Sequence, residues 1–345
     1  MSDRGSVARQ VGLGVVVFIA TLVLLAGAAA LLTRGSAPRA SGQPSLAPST
    51  VAASAATSPR PSGPAGSAAA PSDGASGDPA APVVLTGAGD IADCSRPGAA
   101  QTADLLLRET GSFFTLGDNA YPDGRASDFA ACYEPTWGRV KDRTILPAPG
   151  NHDWNTDGAA GYLAYFGASA GPDGTTWYSR DVGAWHVIVL DSNCARVGGC
   201  DADSEQGRWL ARDLDASTAR CTLALWHHPR FSSGEHGNDP IVDPLWRQLH
   251  AAGVDLVVNG HDHDYERFAP MDGAGNLQRP GGMREIVAGT GGAVLRPFHT
   301  LAANSEFRLA GSWGVLRLTL HPVNYDWEFV PVGGAAADGG STPCH

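Results

Sequence analysis

The stretch VDLVVNGHDHDYER, Val254 to Arg267, is an apolar run that ends at Gly260 and then presents His261, Asp262, His263 and Asp264 in immediate succession. An apolar run of that length closed by Asn and Gly predicts a buried strand. Working outward, the same pattern recurs in VVLTGAGD, FFTLGDN, TILPAPGN, TLALWHH and EIVAGTGG, each an apolar run of strand length closed by Gly, Asp, Asn or His. Helical patterns such as AQTADLLLRE and SEQGRWLARDLDA lie between most of them, and this alternation predicts an α/β architecture that is at least partly parallel. Two segments depart from the rhythm: TTWYSRDVGAWHVIVLDS and GVLRLTLHPVNYDWEFVPV alternate at period two around turn residues, the signature of antiparallel hairpins. The combination predicts two packed mixed β-sheets flanked by helices.

Open α/β sheets hold ligands beyond the carboxyl ends of their strands. Those ends read Asp90; Asp118 and Asn119, then Tyr121; Asn151, His152 and Asp153; His227 and His228; His261 and His263. One such ending carries no information, whereas five that deliver oxygen and imidazole donors to one edge predict a metal site. The mixed N/O set suits Fe, Zn or Mn, since Ca takes nearly all oxygen and structural Zn favours thiolate. The donors are too many for one catalytic ion with an open position. Two ions about 3.5–4 Å apart, sharing the Asp118 carboxylate, would absorb them and clamp a phosphoryl group.

The ordered series GD, GDNAY, GNHD, WHHP and GHDHDYER resembles the calcineurin-like metallophosphoesterase superfamily and, more narrowly, the purple acid phosphatases, over about Val84 to Gly292. The resemblance implies the metallophosphoesterase fold, an αββα sandwich. It implies Fe(III) on Asp90, Asp118, Tyr121 and His263, and divalent Fe, Zn or Mn on Asp118, Asn151, His227 and His261. In extended chain alternate residues face one side, so His261 and His263 would each serve one ion. Tyr265, Glu266 and Arg267 would fix those histidines by direct contact from behind or as framework residues. Where the wider superfamily has Asp-x-His, Asp90 is followed by Ile91 and Ala92. Tyr121 refills that vacancy, and a phenolate on Fe(III) implies a purple charge-transfer colour. A second departure is Asp153, where the family more often has Glu.

The resulting expectation is an enzyme, a metal-dependent phosphatase hydrolysing phosphate monoesters by attack of a metal-bound hydroxide. His152 would face the phosphate. The resemblance implies substrate contact or a general-acid role for His236, nine residues beyond His227, where plant purple acid phosphatases carry another histidine. His228 has no assigned role, and Asp93 and Asp262 read as polar turn residues sooner than as supports behind the ligands. His186 and His321 read as packed or surface residues, and Trp185, Trp226 and Trp327 as core. The alternatives are a phosphodiesterase or nucleotidase on the same fold, and a non-catalytic metal-bearing surface protein.

The remaining chain sets the location. Residues 1–10 are a short tail, and residues 11–32, VGLGVVVFIATLVLLAGAAALL, are uncharged and long enough to cross a roughly 30 Å hydrocarbon core, a membrane anchor or uncleaved signal. Arginines flank it on both sides, so charge sets no orientation. Residues 35–82 are a Ser/Ala/Pro/Gly tether that has too little to bury to order itself. The catalytic domain, 83–345, carries 32 acidic against 19 basic side chains, which excludes the basic footprint of a nucleic-acid binder. Its six cysteines, none in a CxxC pair, predict disulfides and an oxidising compartment, with Cys194 paired to Cys200. The expectation is a cell-surface domain held by the N-terminal helix, or a secreted one, acting on small phosphate esters; oligomeric state is not legible.

Overall fold

The computed structural model describes residues 81–345. The tail, the 11–32 span and nearly all of the tether lie outside the described residues. Among the described residues no helix is long and apolar enough to cross a membrane.

Among the described residues thirteen strands form two sheets. The first has the order β13-β12-β11-β1-β2-β3, built from β1 (Val83–Ala88), β2 (Ser112–Thr115), β3 (Thr144–Leu146), β11 (Gly314–Leu320), β12 (Asn324–Pro331) and β13 (Asp338–Pro343). The second has the order β10-β8-β9-β7-β6-β5-β4, built from β4 (Tyr178–Val182), β5 (Trp185–Val189), β6 (Cys221–Leu225), β7 (Leu256–Asn259), β8 (Tyr265–Phe268), β9 (Arg284–Ala288) and β10 (Ser305–Leu309). Both sheets are mixed. β1, β2 and β3 run parallel, as do β5, β6, β7 and β9, while the expected hairpins appear as the antiparallel pairs β4/β5 and β11/β12.

Alternation along the parallel strands sorts side chains into layers. Val187, Val189, Leu223, Leu225, Leu256 and Val258 enter the core between the sheets, where Leu85, Phe114, Leu316 and Leu318 meet them from the other side. Their neighbours Ile188, Ala224 and Val257 face outward and are covered by α4 (Glu205–Ala216) and α5 (Asp243–Ala251) through Leu210, Leu245, Trp246 and Leu249. The outer face of the first sheet is covered by α1 (Gly98–Leu106) and α3 (Ala160–Phe166), with the single turn α2 (Ala126–Asp128) and a cluster of Phe129, Tyr133 and Trp137 between them. This is the expected αββα sandwich. Trp185, Trp226 and Trp327 are buried, as read from the sequence.

Cys194 and Cys200 form a disulfide as expected, and the other pairs are Cys94–Cys132 and Cys221–Cys344. No described cysteine is free.

His186, on β5, has both ring nitrogens on carboxylates, Nδ1 at 3.0 Å from Asp181 and Nε2 at 2.8 Å from Asp213. Burial works against its charge, but the Asp213 and Asp181 contacts outweigh burial and raise its pKa above 6.5. A raised folded-state value means the stabilisation is complete below pH 6.5 and is lost as pH rises through the folded value. Asp213 carries most of it, because Asp181 is exposed and screened. His186→Gln is therefore expected to cost about 1–2 kcal/mol near pH 5.5 and markedly less near pH 9, read by thermal melts across pH. A pH-independent loss would show that the imidazolium is not the stabilising form.

Candidate metal centre

The carboxyl ends of β1, β2, β3, β6 and β7 open on one edge, where the two sheets meet. Their loops are stitched together by backbone bonds that continue past the strands: Asp90 N–H to Gly117 O at 3.0 Å, Ile91 N–H to Asp118 O at 2.9 Å, and Gly260 N–H to His227 O at 3.0 Å. Asp90, Asp118 and His261 sit at φ values of 59°, 50° and 70°, three of the five non-glycine positions with positive φ among the described residues. Left-handed backbone costs such residues about 1–3 kcal/mol each, and strain of this kind collects at functional sites. Two glycines leave room for the side chains. A Cβ on Gly150 would stand 2.2 Å from Asp118 Oδ1, and one on Gly117, itself at φ 86°, would stand 2.6 Å from His227 Nδ1.

The polar atoms fall into two groups with one member in common. Asp90 Oδ1 lies 3.0 Å from Tyr121 Oη and 3.2 Å from His263 Nε2, and Tyr121 Oη lies 3.2 Å from Asp118 Oδ2. The same Asp118 Oδ2 lies 3.4 Å from His227 Nε2, which is 3.1 Å from Asn151 Oδ1 and 3.2 Å from His261 Nδ1. A cation with ligands at about 2.0–2.2 Å keeps neighbouring donor atoms roughly 3.0–3.5 Å apart, so each group has the spacing of a coordination shell. The imidazoles are oriented for that task. Nδ1 of His227 bonds Leu116 O at 2.7 Å and Nδ1 of His263 bonds Val294 O at 2.5 Å, leaving each Nε2 lone pair directed at the cluster. The residues present fit two cations.

The electrostatics show what the cations would replace. Burial pushes Asp118 up, but the adjacent His227 imidazolium outweighs it and holds the carboxylate well below its usual range. Burial works against charge on His227 as well, yet Asp118 carries it up to about 9. Burial, then the Asp118 and Asp90 charges, raise Tyr121 well above the ordinary phenol value, so Tyr121 needs a cation to ionise. Burial and the nearby His227 lower His261, which therefore stays neutral with its lone pair available.

His152 donates its backbone N–H to Asp118 Oδ1 at 2.8 Å, and its ring packs 4.6 Å from that of Tyr121 with Nδ1 on Pro122 O at 2.5 Å. Its Nε2 is 3.8 Å from Asp118 Oδ2. His236 is exposed, and its ring stacks on His261 at 4.2 Å. All nine residues singled out in the sequence are thus brought to one edge. Asp153, the shorter carboxylate of GNHD, accepts from Asn119 Nδ2 at 2.9 Å and from Gly150 N–H at 2.9 Å, tying the GDN and GN loops together. Burial, then the Asp118 charge, push it up to about 7.

Three readings need correction. Asp262 is no loose turn residue: it is buried and accepts from Ser232 Oγ and, at 2.8 Å, from the His236 backbone N–H. Glu266 does not touch the histidines; it takes Ser233 N–H at 2.7 Å and Ser233 Oγ at 2.5 Å. Tyr265 and Arg267 turn the other way, both onto Asp338 at 2.8 Å, and bind β8 to β13. Glu285, buried on β9, accepts the N–H groups of Arg230 and Phe231 at 2.8 and 3.1 Å. Asp262, Glu266 and Glu285 together hold the backbone of the loop that carries His236, a function the alternation of acids in GHDHDYER conceals. His228, unassigned from sequence, also lies here, its ring 4.4 Å from that of His261. Burial and the neighbouring His227 lower it to about 3.

Residues 83–265 match the family model described as calcineurin-like phosphoesterase. The chain is 28% identical over 199 residues to purple acid phosphatase 15 of Arabidopsis thaliana, covering 47% of this chain and 37% of that one. It is 26% identical over 273 residues to probable inactive purple acid phosphatase 1 of the same plant, covering 68% and 43%. In fold it is similar to the purple acid phosphatase PPD1 of yellow lupin (Lupinus luteus), with a TM-score of 0.64 at 19% identity over 76% of this chain and 54% of that one. The chain spans less than half the length of these two Arabidopsis relatives.

Proposed function

The chain belongs to the calcineurin-like phosphoesterase family, and from that premise we propose that it is a binuclear-metal phosphoesterase hydrolysing phosphate monoesters. The observation that carries this reading is the position of Asp118 Oδ2, within 3.4 Å of donors from both groups. Asp90, Asp118, Tyr121 and His263 would hold a first cation, Fe(III), and Asp118, Asn151, His227 and His261 a second, divalent Fe, Zn or Mn. Such a pair supplies water activation near neutral pH and positive charge for the phosphoryl oxygens, which this acidic domain otherwise lacks.

The chain's own residues do the rest. With Nδ1–H committed to Pro122 O, His152 presents Nε2 as the atom that holds or releases a proton at the phosphate. His236, on its acid-anchored loop, stands at the rim, where a leaving group departs. Three disulfides support export, with residues 11–32 as the anchor or secretory segment.

The test is the initial rate of the metal-loaded protein on an aryl phosphate monoester and its bis-aryl diester across pH, before and after chelation. Chelator-sensitive turnover that favours the monoester at acid pH is expected. Diester preference would move the assignment to phosphodiesterase. A folded, metal-replete protein that turns over neither would have a lapsed or non-catalytic site.

A further inference from the structure

His228 follows a proposed ligand, yet its ring is held by a different part of the molecule. Ser192 Oγ accepts the His228 backbone N–H at 3.0 Å and lies 2.8 Å from its Nδ1. The hydroxyl has no other partner among the described residues, so the acceptor left for its proton is the ring nitrogen. Nδ1 is then the acceptor and Nε2 carries the ring proton. Nε2 has no protein partner among the described residues, and the side chain is partly open.

Ser192 is itself built in. The preceding Asp191 is buried and accepts from Thr176 Oγ1 at 2.6 Å, Trp154 Nε1 at 2.9 Å, and Asn193 N–H and Nδ2 at 2.8 Å each. Gln206 on α4 clamps the Asp191 backbone from both sides, at 2.7 and 2.9 Å. The His228 carbonyl accepts from Trp226 Nε1 at 2.7 Å. Serine and histidine are therefore positioned by separate strands, β5 and β6, and meet at the second donor group, where ring nitrogens of His227, His228 and His261 lie within 4.8 Å of one another. An imidazole with its proton on Nε2 and its Nδ1 lone pair on a serine hydroxyl offers no lone pair to a cation. It offers a hydrogen bond.

We propose that His228 is a substrate-contacting residue whose Nε2–H donates to a phosphoryl oxygen at the second-cation side of the site, with Ser192 as the positioning residue that sets its tautomer. The inference rests on the phosphoesterase reading. It places donors on both sides of the bound phosphate, His152 beside Tyr121 and His228 beside His261.

The experiment measures cation content and the dissociation constant for inorganic phosphate on the metal-loaded protein, for wild type, His228→Ala, His228→Gln and Ser192→Ala. His228→Ala is expected to keep two cations per chain and to weaken phosphate binding about tenfold, the scale of one hydrogen bond to a charged group. His228→Gln, which restores an N–H donor, is expected to recover most of that loss. Ser192→Ala is expected to weaken phosphate binding by about threefold with unchanged cation content. Loss of one cation from His228→Ala would make the residue a ligand and overturn the inference, as would an unchanged phosphate affinity. A wild-type chain that takes up no cations would instead overturn the phosphoesterase reading, and this inference with it.

Discussion

Asp118→Ala is expected to remove both cations and to lower turnover of an aryl phosphate monoester by more than about a thousandfold. Oδ2 of this one residue lies 3.2 Å from Tyr121 Oη and 3.4 Å from His227 Nε2, so each donor group loses the member that joins it to the other. Oδ1 also holds the His152 backbone N–H, so the substitution loosens the histidine proposed to face the phosphate. The fold has less to lose. Without the carboxylate, His227 no longer gains from ionising and becomes a neutral buried imidazole still bonded to Leu116 O. Metal analysis of the purified variant, with a thermal melt for folding, checks both parts. His236→Ala is the control, because its ring stacks on His261 without joining either donor group, and it is expected to alter rate while keeping two cations. Equal cation loss from both variants would contradict the separation of roles.

Tyr121→Phe is expected to abolish the visible charge-transfer band of the iron-loaded protein and to weaken iron at the first group by at least about 10–100-fold, the range that even outer partners of a ligand command. The phenol oxygen is 3.0 Å from Asp90 Oδ1 and 3.4 Å from His263 Nε2, within the first donor group. The ring that packs 4.6 Å from His152 is kept by the phenylalanine, so the His152 ring is expected to hold its place in the variant. An absorption spectrum after iron loading decides the matter. A band that survives in the phenylalanine variant, or a colourless wild type with iron bound, would remove Tyr121 from the ligand set.

Much of the sandwich was legible in the chain because each signal is local. A parallel strand buried on both faces reads as an apolar run, and the runs at Val83, Phe113, Leu223, Leu256 and Ile286 are strands in the structure. The hairpin β11/β12 alternates because one face of it packs in the core between the sheets. Harder to see were β8, β10 and β13. Tyr265, Glu266 and Arg267 read as appendages of the histidine motif, whereas their pairing with Phe307, Arg308 and Leu309 makes them strand. The acids were misread for a related reason: a carboxylate in a loop looks solvated until the partner that buries it is known, and the partners of Asp262 and Glu266 lie about thirty residues away.

By itself the sequence determined which donors stand at strand ends and in what order, because a strand and the residues that close it are neighbours in the chain. It also pointed to the Cys194–Cys200 pair, because a six-residue separation closes a short loop. Only the tertiary structure decided that Cys221 finds Cys344 across 123 residues and that Ser192 Oγ meets the ring of His228. Each of these is a distance between atoms on different strands. Such distances follow from sheet order, crossovers and layer packing, which bring remote residues within hydrogen-bond reach and leave no trace in local spacing.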